Sequence, residues 1–148
     1  MKAKYGLKAM LRLAEDYGRG PWLIADLATE EAIPKKFLEL ILLELKHARL
    51  VRARRGARGG YWLAKPAEAI TIADVIRAVE GPLANIHESA PEDLHYEGAA
   101  ERLRDVWVAV RANLRNVLES ITLADVVSKQ LGWRLEALLS DPEVWLKR

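Results

Sequence analysis

The stretch Val51-Arg-Ala-Arg-Arg-Gly-Ala-Arg-Gly-Gly-Tyr-Trp-Leu63 indicates the fold more strongly than any other part of the chain. It predicts two short strands joined by a basic tip, because glycine permits tight turns and hairpin connections often have about three to five residues. No aspartate or glutamate lies between Glu44 and Glu68. An arginine-rich hairpin can follow DNA phosphates and enter a minor groove, where negative potential favours guanidinium groups. Considered alone, the stretch is equally compatible with a solvated basic turn.

The residues before this hairpin predict three helices, at about 3–17, 25–31 and 35–48. A break at Gly18-Arg19-Gly20-Pro21 ends the first helix, and Pro34 suits the start of the third. Helical periodicity places Leu38, Ile41, Leu42 and Leu45 on one face of the third helix. The opposite face is predicted to carry Lys36, Glu39, Leu40, Leu43 and His47. Two helices, then a basic hairpin, is the order of a winged helix-turn-helix, whose second helix enters the major groove of DNA.

Segments with the pattern of a capping box mark further helix starts at 71–74, 122–125 and 140–143. The first opens a fourth helix that ends at Gly81-Pro82. The second opens a short helix to about Gln130, and the third opens a last helical turn.

A long helix is predicted at about 99–120, after a polar, acidic loop at 83–98. Because this helix has little core of its own to cover, its apolar stripe is expected to pair with a second copy of the chain. Packing back on its own domain is the alternative. The predicted dimer interface consists of Leu103, Val106, Trp107, Val110, Leu114, Val117, Leu118 and Ile121.

Charge is distributed unevenly along the 148 residues, although the net charge is only +2. Residues 1–67 carry 14 Lys and Arg against 7 Asp and Glu, whereas residues 68–148 carry 9 against 14. A basic first half suggests a polyanionic partner. Cysteine is absent, which excludes disulfides and thiolate metal sites. No apolar run approaches the ~18 residues of a membrane span, and no signal peptide is recognisable, so a cytoplasmic protein without membrane contact is expected.

Six sequence segments, taken in order, point to a known family. They are Tyr-Gly-Leu-Lys-Ala-Met (5–10), Phe-Leu-Glu (37–39), Leu-Val-Arg (50–52), Arg-Gly-Ala-Arg-Gly-Gly-Tyr (55–61), Ile-Thr-Ile-Ala-Asp-Val-Ile-Arg-Ala-Val-Glu-Gly-Pro-Leu (70–83) and Thr-Leu-Ala-Asp-Val-Val (122–127). Over about residues 3–130 the chain resembles the Rrf2 (Rrf-two) family of winged-helix transcriptional regulators.

The resemblance implies a mainly α fold with a small β-wing. A winged helix-turn-helix DNA-binding domain at 1–82 would precede a loop at 83–98, and a dimerisation helix with C-terminal helices would occupy 99–148. The implied function is a sequence-specific transcriptional regulator, expected to be a repressor, that binds a palindromic operator in double-stranded DNA as a homodimer.

Two side chains match positions with defined roles in the family. Glu39 stands where relatives read bases, and Arg55 matches the wing arginine that enters the minor groove; a solvated helix charge is the alternative for Glu39. Leu40 stands where relatives often carry Gln, and it could join Leu43 in contacting thymine methyl groups or another part of the protein. Pro34 stands where family members often carry a Ser that caps the recognition helix.

The expected DNA-binding residues are Lys4, Lys8, Lys35, Lys36, Glu39, Arg52, Arg54, Arg55, Arg58, Gly59, Gly60 and Tyr61.

The signal that such a regulator would sense is left open by the sequence. Family members that carry an iron–sulfur cluster place three cysteines in the loop at 83–98, so a cysteine-ligated cluster is excluded here and no cofactor is predicted. His87 and His95, with nearby carboxylates, are candidates for a divalent metal, which would make the protein a metal-responsive regulator. Control by a regulatory protein partner or by a small ligand is another possibility.

Two other classes of function agree less well with the sequence than a regulator does. A winged-helix protein-interaction module that does not read DNA would not need so many wing arginines. An enzyme is not expected, since the chain lacks a P-loop, a nucleotide-binding glycine run and a Ser-His-Asp signature.

Overall fold

The computed structural model describes residues 2–85 and 89–148, and helices dominate this part of the chain. The mainly helical architecture with one small antiparallel hairpin, predicted from the sequence, is confirmed. The elements are α1 (Lys2–Glu15), α2 (Ile24–Glu30), α3 (Lys35–His47), β1 (Val51–Arg54), β2 (Gly60–Leu63), α4 (Ile72–Glu80), α5 (Leu103–Leu118), α6 (Leu123–Ser128) and α7 (Trp133–Leu139). Short 3₁₀ turns lie at Ala67–Ala69, Pro91–Asp93, Gly98–Ala100 and Pro142–Trp145.

The pair α2 and α3 forms a helix-turn-helix. In the turn between them, the Ile33 N–H donates to the Ala28 carbonyl at 2.9 Å, and the Ile33 side chain is buried. Pro34 is the N-cap of α3, and its carbonyl accepts the Leu38 N–H at 2.9 Å. A proline is tolerated at this end because the first N–H groups of a helix have no intrahelical acceptor.

The hydrophobic core lies where α1 packs against α3 and α4. A Cβ built on Gly6 would lie 3.4 Å from Val79 and 3.6 Å from Ile41, at ordinary contact distances, so the three helices meet at this point. The predicted inward face of α3 is confirmed, because all four of its leucine and isoleucine side chains are fully buried. The largest fully buried aliphatic side chains are Met10, Leu27, Leu38, Ile41, Leu42, Leu45, Ile70, Val75 and Leu123. Burial of such apolar surface is the main stabilising term of the fold.

The chain returns to this core after α5. The capping boxes predicted at Thr71 and Thr122 are both present, and the two threonines pair with each other as an isolated antiparallel bridge. The Leu123 N–H donates to the Ile70 carbonyl at 2.9 Å, and α6 packs against α1. The start of α6 thus belongs to the packing of the N-terminal helices. The division of the chain into a DNA-binding and a dimerisation part remains a prediction.

Two sequence-based boundaries require correction. The helix expected from residue 99 begins at Leu103, because Gly98 adopts a positive φ of 60° and residues 98–100 form a 3₁₀ turn. The last turn, Pro142–Trp145, is capped by Asp141, whose carboxylate accepts the Glu143 N–H at 2.9 Å. Ser140 does not cap it, since its hydroxyl donates to the carbonyl of Ala137 at the end of α7. The helix α7 is not among those predicted from the sequence.

None of the helices within residues 2–85 and 89–148 combines the length and the apolar character that crossing a bilayer requires.

Candidate nucleic-acid interface

The outward face of α3 is exposed, as its periodicity predicted. Its central row runs from Lys36 through Leu40 and Leu43 to His47, opposite the buried face. Glu39 is also exposed, at one edge of this row. A helix that carries its core contacts on one side and presents a row of free side chains on the other has the form of a recognition helix.

The wing is a regular antiparallel hairpin. Val51 pairs with Leu63 and Arg54 pairs with Gly60, so the strands end immediately before and after a five-residue tip. The tip is closed by a hydrogen bond of 2.9 Å from the Gly59 N–H to the Gly56 carbonyl. The arginines of this hairpin are all exposed, and they are Arg52, Arg54, Arg55 and Arg58.

Gly59 and Gly60 are required by close backbone contacts. A Cβ on Gly59 would lie 2.1 Å from the Arg54 carbonyl oxygen, and one on Gly60 would lie 2.5 Å from the Trp22 carbonyl oxygen. Gly60 also has a positive φ of 136°, which side-chain-bearing residues rarely adopt. Both glycines are buried. They therefore shape the wing, whatever part their backbone takes in binding.

The wing is anchored to the N-terminal helix through Trp22. The backbone groups of Trp22 and Tyr61 exchange two hydrogen bonds of 2.8 Å, which adds a bridge to the edge of β2. The indole N–H of Trp22 donates to Asp16 at 2.8 Å, and the Arg12 guanidinium lies 6.0 Å from the indole ring centroid. No local pattern predicts this role of Trp22, because its partner Tyr61 lies 39 residues further along the chain.

The predicted lysine contacts fall into two groups. Lys4, Lys35 and Lys36 are exposed, and the last two lie in the first turn of α3. Lys8 is instead only half-exposed, and its ammonium donates to the Glu31 carbonyl. Lys8 is therefore engaged in holding α1 to the end of α2. The side-chain carboxylate of Glu31 accepts a hydrogen bond from Arg12 at 2.7 Å, which raises the pKa of the Arg12 guanidinium.

The apolar stripe of α5 is divided between two environments. Four of the predicted interface residues are exposed to solvent: Val106, Val110, Leu114 and Val117. Leu103, Trp107 and Leu118 are half-buried, and the Trp107 indole donates to the Tyr96 hydroxyl at 3.2 Å. Ile121 is already buried within its own chain and does not contribute to the exposed stripe.

Ion pairs hold α5 against the preceding segments. Arg77 of α4 donates to Glu119 at the end of α5, and this bond, together with one from Arg115, lowers the pKa of the Glu119 carboxyl. Arg111 pairs with Glu92. The pKa of Glu92 is lowered first by the hydrogen bond from its own backbone amide and then by Arg111. These contacts join α5 to α4 and to the turn at Pro91–Asp93, and the aliphatic row lies on the exposed side of the helix.

The metal hypothesis receives no support from the described side chains. His95 lies 3.8 Å from Glu97, and within residues 2–85 and 89–148 no three His, Cys, Asp or Glu side chains are grouped as metal ligands. His87, the other candidate, lies outside the described residues.

Taken together, the helix-turn-helix and the adjoining hairpin define a winged helix-turn-helix protein. Its sequence agrees with one family of such proteins. The sequence model of the Rrf2 family, described as an iron-dependent transcriptional regulator, matches residues 1–129. The chain belongs to the Rrf2 family and is a DNA-binding transcriptional regulator.

Individual relatives support this assignment. A Mycobacterium tuberculosis protein named as an HTH-type transcriptional regulator is 44% identical over 140 residues, covering 95% of this chain and 87% of its own. CymR of Bacillus subtilis is 37% identical over 127 residues, and the match covers 86% of this chain and 87% of CymR. Among solved structures, B. subtilis CymR, titled the global cysteine regulator, has a TM-score of 0.74 at 36% identity, covering 87% of this chain and 95% of that one. The structure of IscR from T. potens has a TM-score of 0.68 at 30% identity, and the match covers 100% of this chain and 90% of that one.

Proposed function

We propose that this protein is a homodimeric repressor that reads a palindromic operator with α3 and holds the flanking DNA with its wing. The observation that carries the proposal is the exposed row of α3 side chains beside an arginine hairpin without acidic residues. Helix and wing are close together, since β1 packs against α3 and the Leu50 N–H donates to the Leu45 carbonyl at 2.9 Å. A rigid pair of this kind suits simultaneous contact with a major groove and its flank.

The different contacts are expected to play different roles. Guanidinium groups of the wing bind phosphates or the minor groove, and such contacts supply affinity more than sequence information. Glu39 can accept a hydrogen bond from the amino group of a cytosine, which discriminates between bases. The exposed stripe of α5 pairs with the same stripe of a second copy, which places two α3 helices on two half-sites.

Selection of bound sequences from a random pool of duplex DNA tests the function directly. The protein is purified in the presence of a chelator, and binding is selected at low salt. Enrichment of a palindrome supports a dimeric reader that needs no metal. Enrichment only after zinc or iron is added would instead favour the metal-responsive alternative. No enrichment under either condition would contradict the proposal and favour a protein-interaction module.

The first prediction concerns Arg58→Ala. This substitution should weaken binding to every duplex by a similar factor, and it should reduce the slope of log affinity against log salt by about 2, because one phosphate contact is lost in each protomer of the dimer. Fluorescence anisotropy on the selected operator and on an unrelated duplex measures both quantities. Arg134→Ala, which removes an exposed arginine from α7, is the matched control and should change neither. A loss confined to the operator would mean that Arg58 reads sequence.

The second prediction concerns Glu39→Ala. Preference should relax at one base position of each half-site, with a loss of ~1–3 kcal/mol in discrimination there, because a base-reading acceptor has been removed. Competition binding with operators altered at single positions gives this profile. Glu136→Ala, on the exposed surface of α7, removes the same charge elsewhere and should leave the profile unchanged. Equal weakening at all positions would show that Glu39 does not read a base.

The third prediction concerns Leu114→Asp. A charge in the centre of the proposed dimer face should weaken self-association at least tenfold, about 1.4 kcal/mol, since the carboxylate would be buried without a partner. Sedimentation at several protein concentrations measures the dimer dissociation constant. Ala112→Asp places the same charge on an exposed position of α5 that points away from the stripe, and it should leave association unchanged. An intact dimer in both variants would place the interface elsewhere.

A further inference from the structure

The centre of the outward face of α3 is aliphatic, which is unusual for the exposed side of a helix. Leu40 is 57% exposed and Leu43 is 48% exposed, and the two lie three residues apart, so their side chains are neighbours on the helix surface. Single exposed leucines need no explanation, but an adjacent pair at the centre of a binding face suggests a ligand with apolar groups.

The surroundings of this pair restrict what the ligand can be. Lys36 precedes the leucines on the same row and His47 follows them, and Lys35 lies beside Lys36 in the first turn. The wing that follows α3 carries four exposed arginines and no carboxylate. Glu39 and Glu44 lie at the edges of the row, and Glu44 is paired with Lys2 at 2.8 Å. An apolar spot with lysines at one end and the arginine wing beside the helix fits a surface that is anionic at its rim and carries methyl groups within. The major groove of DNA has these properties where it contains thymine, whose 5-methyl group is its apolar marker.

We propose that Leu40 and Leu43 read thymine methyl groups in each half-site of the operator. This inference rests on the proposed function, and it names the chemical feature that the protein selects. Glu39, at the edge of the row, then reads a neighbouring position by hydrogen bonding, while the two leucines report methyl groups by contact. Because the leucines offer no hydrogen bond, their specificity depends on the methyl group and is lost when that group is absent.

Deoxyuridine differs from thymidine only in lacking this methyl group, and it pairs with adenine in the same way. In the operator obtained by selection, each thymine is replaced singly by uracil, and affinity is measured by anisotropy. Wild-type protein should lose affinity about fourfold at one or two thymines per half-site, the factor that corresponds to ~0.8 kcal/mol for one buried methyl group. Leu40→Ala or Leu43→Ala should bind the thymine operator more weakly and no longer distinguish thymine from uracil at the matching position.

Two controls show whether a lost response to uracil is specific to Leu40 and Leu43. Leu138→Ala shortens a leucine of similar exposure in α7, and it should retain the full response to uracil. Melting temperature and sedimentation of the α3 variants should equal those of the wild type, because the leucines are exposed and outside the core.

The outcomes separate this inference from the function on which it rests. If the selection yields a palindrome but uracil has no effect at any position, or if the operator contains no invariant thymine, the regulator stands and the methyl-reading role is overturned. If Leu40→Ala or Leu43→Ala changes the oligomeric state, the pair is covered by a second copy of the chain, which also overturns it. If no sequence is enriched, the proposed function fails and this inference fails with it.

Discussion

Raising the salt concentration from about 50 to about 200 mM should weaken binding to the selected operator by ~10³–10⁵-fold, as expected for roughly six to ten phosphate contacts. The exposed cations of the proposed interface supply enough contacts in a dimer. In each protomer they are Lys4, Lys35, Lys36, Arg52, Arg54, Arg55 and Arg58. Each neutralised phosphate releases condensed counterions, and added salt opposes that release.

The measurement is a series of anisotropy titrations across this range of salt, with the unrelated duplex as a comparison. Thermal unfolding at both ends of the range shows whether the fold itself responds to salt. A nearly flat dependence, with the fold intact, would contradict an interface built on phosphate contacts. A steep dependence that is the same for both duplexes would indicate binding without sequence reading.

Leu123→Ala should lower the free energy of unfolding by ~2–5 kcal/mol, the range measured for large aliphatic side chains removed from a well-packed core. Leu123 is fully buried, and it lies at the start of α6 where that helix packs against α1. Its loss leaves a cavity that the surrounding helices cannot fill, because interiors are packed as densely as crystals. Urea denaturation, monitored by circular dichroism, measures this change in the free energy of unfolding, and the slope of that free energy against urea concentration should stay constant.

Leu138→Ala is the matched control for this experiment. The same side chain is removed from α7, where it is 51% exposed, and a change within about 0.5 kcal/mol is expected at such a surface position. A loss below about 1 kcal/mol for Leu123→Ala would mean that α6 does not share the core of the N-terminal helices. The comparison of the two variants therefore tests whether the chain packs into the core of the N-terminal helices again after α5.

The parts of the fold that were predicted well depend on local chemistry. The buried and exposed faces of α3 follow from apolar spacing, and the caps at Thr71 and Thr122 follow from a hydroxyl and a carboxylate three residues apart. The wing follows from two short strand patterns around glycines. In each case the residues that decide the structure lie within a few positions of one another.

The parts that were missed depend on contacts between distant residues. The hydrogen bond from Lys8 to the Glu31 carbonyl was not foreseen, because 23 positions separate the two residues, and the contact of Lys8 with DNA stays a prediction. The missed helix α7 is an exception, because Leu135, Leu138 and Leu139 have helical spacing within its seven residues and could have predicted it. Which valines of α5 remain exposed was also beyond a periodic pattern, since α5 packs against the turn at Pro91–Asp93 and contacts α4.

The sequence by itself determined the class of protein, the row of α3 that faces outward, the basic wing and the absence of thiolate chemistry. All of these follow from residue type and short-range spacing. The tertiary structure alone decided that Trp22 anchors the wing, that Leu123 completes the N-terminal core, and that four aliphatic side chains of α5 are left uncovered. The physical reason is that burial and pairing are settled by which distant segments meet, and no local pattern encodes that meeting.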